Sequence, residues 1–381
     1  MGKQLVSRLM VIIGTRPEAI KMAPVIHELS CRSQCCSVDV ITTGQHRELL
    51  WQVLEMFSIS PLINLDLMQQ NQSPSDILSS MLASLSPLLR ERSPDVVLVH
   101  GDTMTTVAAS LAAFYLKIPV AHIEAGLRTY DLKSPFPEEF NRQIVSKVAR
   151  WHFAPTARAG QNLLNEGIDK TQIFITGNTV VDALNLTLKR LEDSDDLRSA
   201  VFCELEEVLG VNWLSKPYIL VTCHRRENFG SKFTEICSAI KRLSELETEY
   251  NVFFMIHPNP NVKTVAENFF GDKSNVKLIC PLEYASFCSL VKNSSLILTD
   301  SGGLQEEAAS IGKQVLVLRD STERPEAIEH GLAMLVGSDG GKIVDEAVLL
   351  LRDPERNIRR HAEGSPFGEG HASTIIADVL V

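Results

Sequence analysis

The sequence predicts an α/β protein of two doubly wound, Rossmann-like domains facing a cleft. Short apolar runs alternate with longer helix-period segments from end to end. Those runs lack the in-out alternation of half-buried strands, as expected of parallel strands covered on both faces by helices. The pattern stops at an acidic, strand-free stretch, LEDSDDLRSAVFCELEEVLG, and then restarts, and 381 residues are too many for one ordinary core.

In chain order, strands are expected at Leu9–Ile13, Val38–Thr42, Asp95–His100, Val120–Glu124, Trp151–Ala154 and Ile173–Thr176. Helices fall between them at Glu18–Ser30, Pro74–Arg92, Thr105–Leu116, Glu138–Val148 and Thr156–Glu166. The acidic stretch reads as a helical or loop connector. The second half repeats the scheme, with strands at Tyr218–Thr222, Val252–Ile256, Val276–Ile279, Leu296–Thr299 and Val315–Leu318. Its helices are Lys232–Glu247, Glu283–Val291 and Leu304–Ile311. Residues 1–176 form the first domain, joined by a C-terminal helix at about 365–381, and 177–364 form the second. Arg16-Pro17-Glu18 and Arg324-Pro325-Glu326 each follow a strand and open a helix, with proline in the first turn.

Composition narrows the function. A formal charge of −10 leaves no basic surplus for a nucleic-acid partner. A nucleotide ligand needs only a few cations and N–H groups and stays open. The eight cysteines show no CxxC and no metal spacing, so reduced thiols in a cytoplasmic protein are expected. LMVII is too short for a signal peptide or a span, and Lys117 and Pro119 break the longest apolar region, so no membrane association is expected.

The chemistry collects at strand ends, where open α/β sheets bind ligands. HIEAGLRTYDLKSPFPEEFNR (122–142) sets Glu124, Asp131, Glu138 and Glu139 among Arg128 and Arg142. Carboxylates sharing a crevice acquire unequal proton affinities, which separates acids from bases. IIGTRPEAIK (12–21) runs strand, turn, helix, with Arg16 and Lys21 beside a helix start that suits an anion. No GxGxxG and no GxxxxGK[ST] occurs. VLVHGDTMTT (97–106) repeats the layout, and Asp102 fits either a helix cap or a reacting carboxylate. LVTCHRRENFG (220–230) ends a strand in His224, Arg225 and Arg226, and IHPNPNV (256–262) places His257 likewise. In LILTDSGGLQEEAA (296–309), Ser301, Gly302 and Gly303 allow close backbone approach by a diphosphate, and Glu307 can accept from sugar hydroxyls.

With GTRPEAIK, TGQHREL, HGDTMTT, HIEAGLRT, PEEFNR, HRRENFG, HPNPNV and TDSGGLQEEA in order across nearly its whole length, the chain resembles the bacterial non-hydrolysing UDP-N-acetylglucosamine 2-epimerases. The resemblance implies a fold like that of the two-domain GT-B glycosyltransferases. It also implies a cytoplasmic homodimer with a UDP-sugar ligand and no cofactor or metal. The expected reaction is interconversion with UDP-N-acetylmannosamine, supplying aminosugars for surface polysaccharide, through elimination of UDP to 2-acetamidoglucal and its re-addition. By the same resemblance Asp102, Glu124, Glu138 and His224 are catalytic, and Arg16, Lys21, Phe287, Ser301, Gly302, Gly303, Glu307 and Arg324 bind substrate. Gln45, Arg225 and His257 resemble positions of a second, activating UDP-sugar site. Leu282 departs from the glutamine common in the family, which leaves a backbone rather than a side-chain contact to the base as what the resemblance implies there. A hydrolysing epimerase, an epimerase of a related UDP-2-acetamido sugar, a glycosyltransferase and a non-catalytic sensor are the rival readings.

Overall fold

A computed structural model of the chain describes residues 7–44, 47–67, 72–225, 228–256, 260–271, 275–353 and 364–381. The contacts divide the chain into Met1–Ala183 with Gly368–Val381, and Leu184–Phe367.

The first unit carries β1 (Ser7–Ile13), β2 (Cys36–Thr42), β3 (Ile63–Asn64), β4 (Val96–His100), β5 (Val120–Ile123), β6 (Trp151–Ala154) and β7 (Ile173–Ile175). They pair in parallel in the order β3-β2-β1-β4-β5-β6-β7. All residues of β4 and β5 are buried, which is why their sequences do not alternate. Its helices are α1 (Arg16–Cys31), α2 (Arg47–Met56), α3 (Pro74–Arg92), α4 (Met104–Tyr115), α5 (Glu138–Val148) and α6 (Ala157–Asn165). Met10, Ile12, Val97 and Val99 pack with Met81 and Leu85 of α3 and Val107, Ala108 and Ala112 of α4. The small side chains of α4 admit close packing on both sides of that helix.

In chain order the two sheets are separated by α7 (Thr179–Asp193) and α8 (Asp195–Leu209), so the acidic connector is helical, and the division between the units falls within α7. The second unit holds β8 (Tyr218–Cys223), β9 (Asn251–Ile256), β10 (Val276–Ile279), β11 (Leu296–Thr299), β12 (Val315–Val317) and β13 (Ala333–Leu335). These too are parallel, in the order β10-β9-β8-β11-β12-β13. Its helices are α9 (Ser231–Leu246), α10 (Pro260–Phe270), α11 (Tyr284–Asn293), α12 (Gly302–Ser310), α13 (Pro325–Glu329) and α14 (Gly340–Arg352). Ile219, Val221, Phe254, Leu298 and Leu316 form the centre of its core.

The last helix, α15 (Ala372–Leu380), belongs to the first unit. It packs on α1, and buried Asp182 accepts from Ala372 N (3.3 Å), Ser373 N (2.8 Å) and Ser373 Oγ (2.6 Å). A side chain 190 positions away thus satisfies helix-start donors that the chain cannot bond locally.

Candidate functional site

In each sheet the strand order reverses at one place, β1/β4 in the first and β8/β11 in the second. The turns leaving those strands carry most of the candidate residues, each set being described within its own unit.

In the first unit Glu18 straps the two turns together. Its carboxylate accepts from Gly14 N (2.9 Å) and Thr15 N (2.6 Å), and across the reversal from Thr103 Oγ1 (2.6 Å). Burial raises its proton affinity, against the pull of these donors. Sequence reasoning passed over Glu18, although threonine at the N-cap and glutamate at N3 is the capping-box pattern. Thr103 caps α4 by accepting from Thr106 N, so Asp102 is not the cap. Asp102 instead accepts from Arg142 Nε (2.9 Å), and its carbonyl accepts from Asn141 Nδ2 (2.7 Å).

Glu124 sits one residue past β5, with φ +62°. A β-strand residue would point to one face of the sheet; this left-handed backbone redirects the side chain. Lys21 of α1 forms an ion pair with it, Asn178 Nδ2 donates to Oε2 at 2.8 Å, and His100 Nε2 lies 3.8 Å from the same oxygen. Burial pushes His100 down to about 4 despite Glu124, so the ring is neutral near pH 7. Lys21 is therefore the partner of a carboxylate as well as a candidate for an anion. Arg16, half-buried, opens α1. Glu138 opens α5, and its Oε2 is buried with no hydrogen-bond partner among the described residues. Such an oxygen is costly unless a ligand or proton meets it.

The acidic loop does not act as one crevice of reacting groups. Glu139, fully buried, accepts from Thr129 N (3.0 Å), Tyr130 N (3.2 Å) and Gln143 Nε2 (2.9 Å). Arg128 donates to both oxygens of Glu166 and to Ser146. Asp131 accepts from Lys133 N in an exposed turn. Bonds within the fold thus hold Glu139, Arg128 and Asp131.

In the second unit the organising group is Asp300, fully buried after β11 and absent from the expected set. It accepts from His224 N (3.0 Å), Arg225 N (2.8 Å) and Asn228 Nδ2 (3.0 Å), and His224 Nδ1 lies 3.3 Å from Oδ1. The sequence reading weighs only the arginines beside His224; the structure adds this carboxylate. It holds one ring nitrogen, on a side chain that is 45% exposed.

Ser301 is the N-cap of α12, and its side chain makes no cap bond to the first-turn N–H groups. Gly302 and Gly303 differ. A Cβ at Gly302 would stand 2.8 Å from Arg324 Nη1, whereas one at Gly303 meets nothing within 4 Å. Gly302 thus makes room for Arg324, whose Nε donates to buried Glu306 (2.9 Å). Arg324, Arg319 and Arg225 gather about Glu323, at 3.5, 2.8 and 3.8 Å. Burial raises the proton affinity of Glu323, but Arg319, Arg324 and Arg225 outweigh it and hold the group well below the carboxylate range. Three guanidiniums thus meet at Glu323, and Arg324 also pairs with buried Glu306. Glu307 is buried and accepts from Tyr284 Oη at 2.8 Å. Phe287 is half-buried on α11, just after buried Leu282. Gln45 and His257 lie outside the described residues.

The model of the UDP-N-acetylglucosamine 2-epimerase family matches residues 29–381. The chain is 47% identical over 373 residues to the UDP-N-acetylglucosamine 2-epimerase of Escherichia coli K12, covering 98% of both chains. It superposes on UDP-GlcNAc 2-epimerase from Neisseria meningitidis bound to UDP-GlcNAc with a TM-score of 0.90, at 45% identity, covering 98% of this chain and 99% of that one. Acinetobacter baumannii MurG, 15% identical with a TM-score of 0.55 over 98% and 99% of the two chains, shares the fold alone.

Proposed function

Because the chain belongs to the UDP-N-acetylglucosamine 2-epimerase family, we propose that it inverts C2 of UDP-N-acetylglucosamine, giving UDP-N-acetylmannosamine, and runs the reverse reaction. The observation that carries this reading is the division of chemistries between the two units. The first carries the carboxylates Asp102, Glu124 and Glu138, and the second carries the start of α12, His224 and Arg324.

The proton on C2 has no adjacent carbonyl to stabilise a carbanion, so direct removal is too costly. Breaking the anomeric C–O bond solves this. UDP departs with the electron pair, the C2 proton passes to a carboxylate, and 2-acetamidoglucal remains. Re-addition of UDP with a proton delivered to the opposite face gives the epimer. Departing UDP needs preorganised positive charge, for which the α12 N-terminus, His224, Arg16 and Arg324 are suited. Proton transfer on two faces needs more than one carboxyl group, which fits the set on the first unit. Binding of the diphosphate by Ser301–Gly303 and of ribose by Glu307, and service to surface-polysaccharide synthesis by a homodimer, belong to the same proposal.

Incubation with UDP-N-acetylglucosamine in D2O, followed by chromatography and mass analysis, tests it. Both epimers should appear, each carrying deuterium at C2. Free N-acetylmannosamine with UDP would make it a hydrolysing enzyme. A product that keeps its original C2 hydrogen would overturn elimination.

A further inference from the structure

Glu124 is held by two elements far apart in the sequence, Lys21 from α1 and Asn178 just before α7, with the neutral His100 ring 3.8 Å away. Asn178 has not entered the functional account so far, and its side chain is fixed with unusual completeness. It is 2% exposed. Its Oδ1 accepts from Val180 N at 3.1 Å, at the start of α7. An amide has one acceptor end and one donor end. With the acceptor end committed to a backbone N–H, the end facing Glu124 must be the NH2, and the 2.8 Å contact to Oε2 is a donated bond. A flipped amide would set oxygen against carboxylate and NH2 against N–H, losing both bonds. The orientation thus follows from the network.

We propose that Asn178 is a positioning residue that aims the Glu124 carboxylate and keeps it ionised, making Glu124 the resident proton acceptor of the first unit. An N–H donor bonds a carboxylate more strongly than a neutral carboxyl, so Asn178 favours the charged form, and Lys21 acts in the same sense. Glu138 stands in contrast, since its buried Oε2 receives no donor from the described residues. A donor-rich carboxylate suits the base that takes the C2 proton, and a donor-poor one suits the group that returns a proton on the other face. This division of labour rests on the epimerase reading; the control of Glu124 by Asn178 does not.

Asn178→Asp is the informative variant, because Asp can still accept from Val180 N and cap α7 while its second oxygen replaces the donor. The folded protein should keep its melting temperature within a few degrees and its UDP affinity. Its kcat should fall about ten-fold or more, and the acid limb of its pH profile should move up by about one pH unit. In a Glu124→Gln background the same change should have no further effect on residual turnover. Infrared titration of the Glu124 carboxyl, identified by the signal lost in Glu124→Gln, should show protonation at higher pH in Asn178→Asp. An unmoved infrared titration overturns the proposal. Wild-type protein that fails to epimerise UDP-N-acetylglucosamine overturns the functional reading instead, while the infrared arm still decides the role of Asn178.

Discussion

A carboxylate is defined by its donors, and on that criterion the acids of the first unit separate cleanly. Glu139 receives two backbone N–H bonds and a glutamine amide, Glu18 ties two turns, Asp102 meets Arg142, and Glu138 keeps a bare oxygen. Glu138→Gln should lower kcat roughly 100-fold while leaving UDP affinity nearly unchanged, as read by steady-state kinetics and calorimetric titration. Near-normal turnover would make Glu138 an anchor of α5 only. Glycine positions separate in the same way. A Cβ at Gly303 has open space around it, so Gly303→Val should fold with a little-changed melting temperature yet bind UDP weakly. Gly302→Ala must displace Arg324 from its seat against Glu306, and should lose both stability and affinity. Equal melting temperatures and equal UDP affinities in the two variants would show that the turn only packs. From the sequence the two glycines are equivalent; only the approach of Arg324 tells them apart.

At the scale of elements, β4, β5 and β6 each bury a histidine: His100, His122 and His152, all under 5% exposed. His122 Nε2 donates to Gly101 O at 2.8 Å, and both ring nitrogens of His152 are buried. Burial drives His100 and His152 down to about 4 and His122 to about 3, with Glu124 opposing at one end and Arg128 adding to the fall at the other. The sign follows from linkage. Folded values lie below the unfolded 6.5, so below that pH the unfolded chain takes up protons that the folded chain refuses. Stability contributed above about pH 6.5 is therefore lost as pH falls toward about 4, by on the order of a few kcal/mol per histidine. Urea midpoints measured at about pH 7 and about pH 5 should differ accordingly, and His152→Leu should flatten the difference. An unchanged slope in that variant would mean the row takes up its protons while folded.

For the whole molecule, the closing contact of the first unit is Asp182 on the start of α15. Asp182→Ala leaves two backbone donors and a hydroxyl without that acceptor, and should cost about 1–3 kcal/mol. Limited proteolysis should then release the C-terminal helix early, and a wild-type cleavage pattern would show that packing on α1 suffices.

By itself the sequence determined the alternation of buried strands and helices, the restart after the acidic connector, and the strand-end position of most candidate residues. Each is a local signal: apolar runs that do not alternate, proline and glycine at turns, threonine before a helix. The family likeness was equally legible, since it rests on ordered motifs. What only the tertiary structure decided is which charged groups are spent on the fold. Asp300, Glu18 and Asn178 look like ordinary turn or capping residues in the chain, yet they fix His224, two strand-end turns and Glu124. Arg128 and Glu139 look functional and are absorbed by bonds to Glu166 and to the backbone. The physical reason is that a charge's role depends on the donors and acceptors that reach it, and these arrive from 38, 54, 76 or 85 positions away. Local pattern carries no information on such partners; the parallel sheets, by setting successive strand ends side by side, supply it.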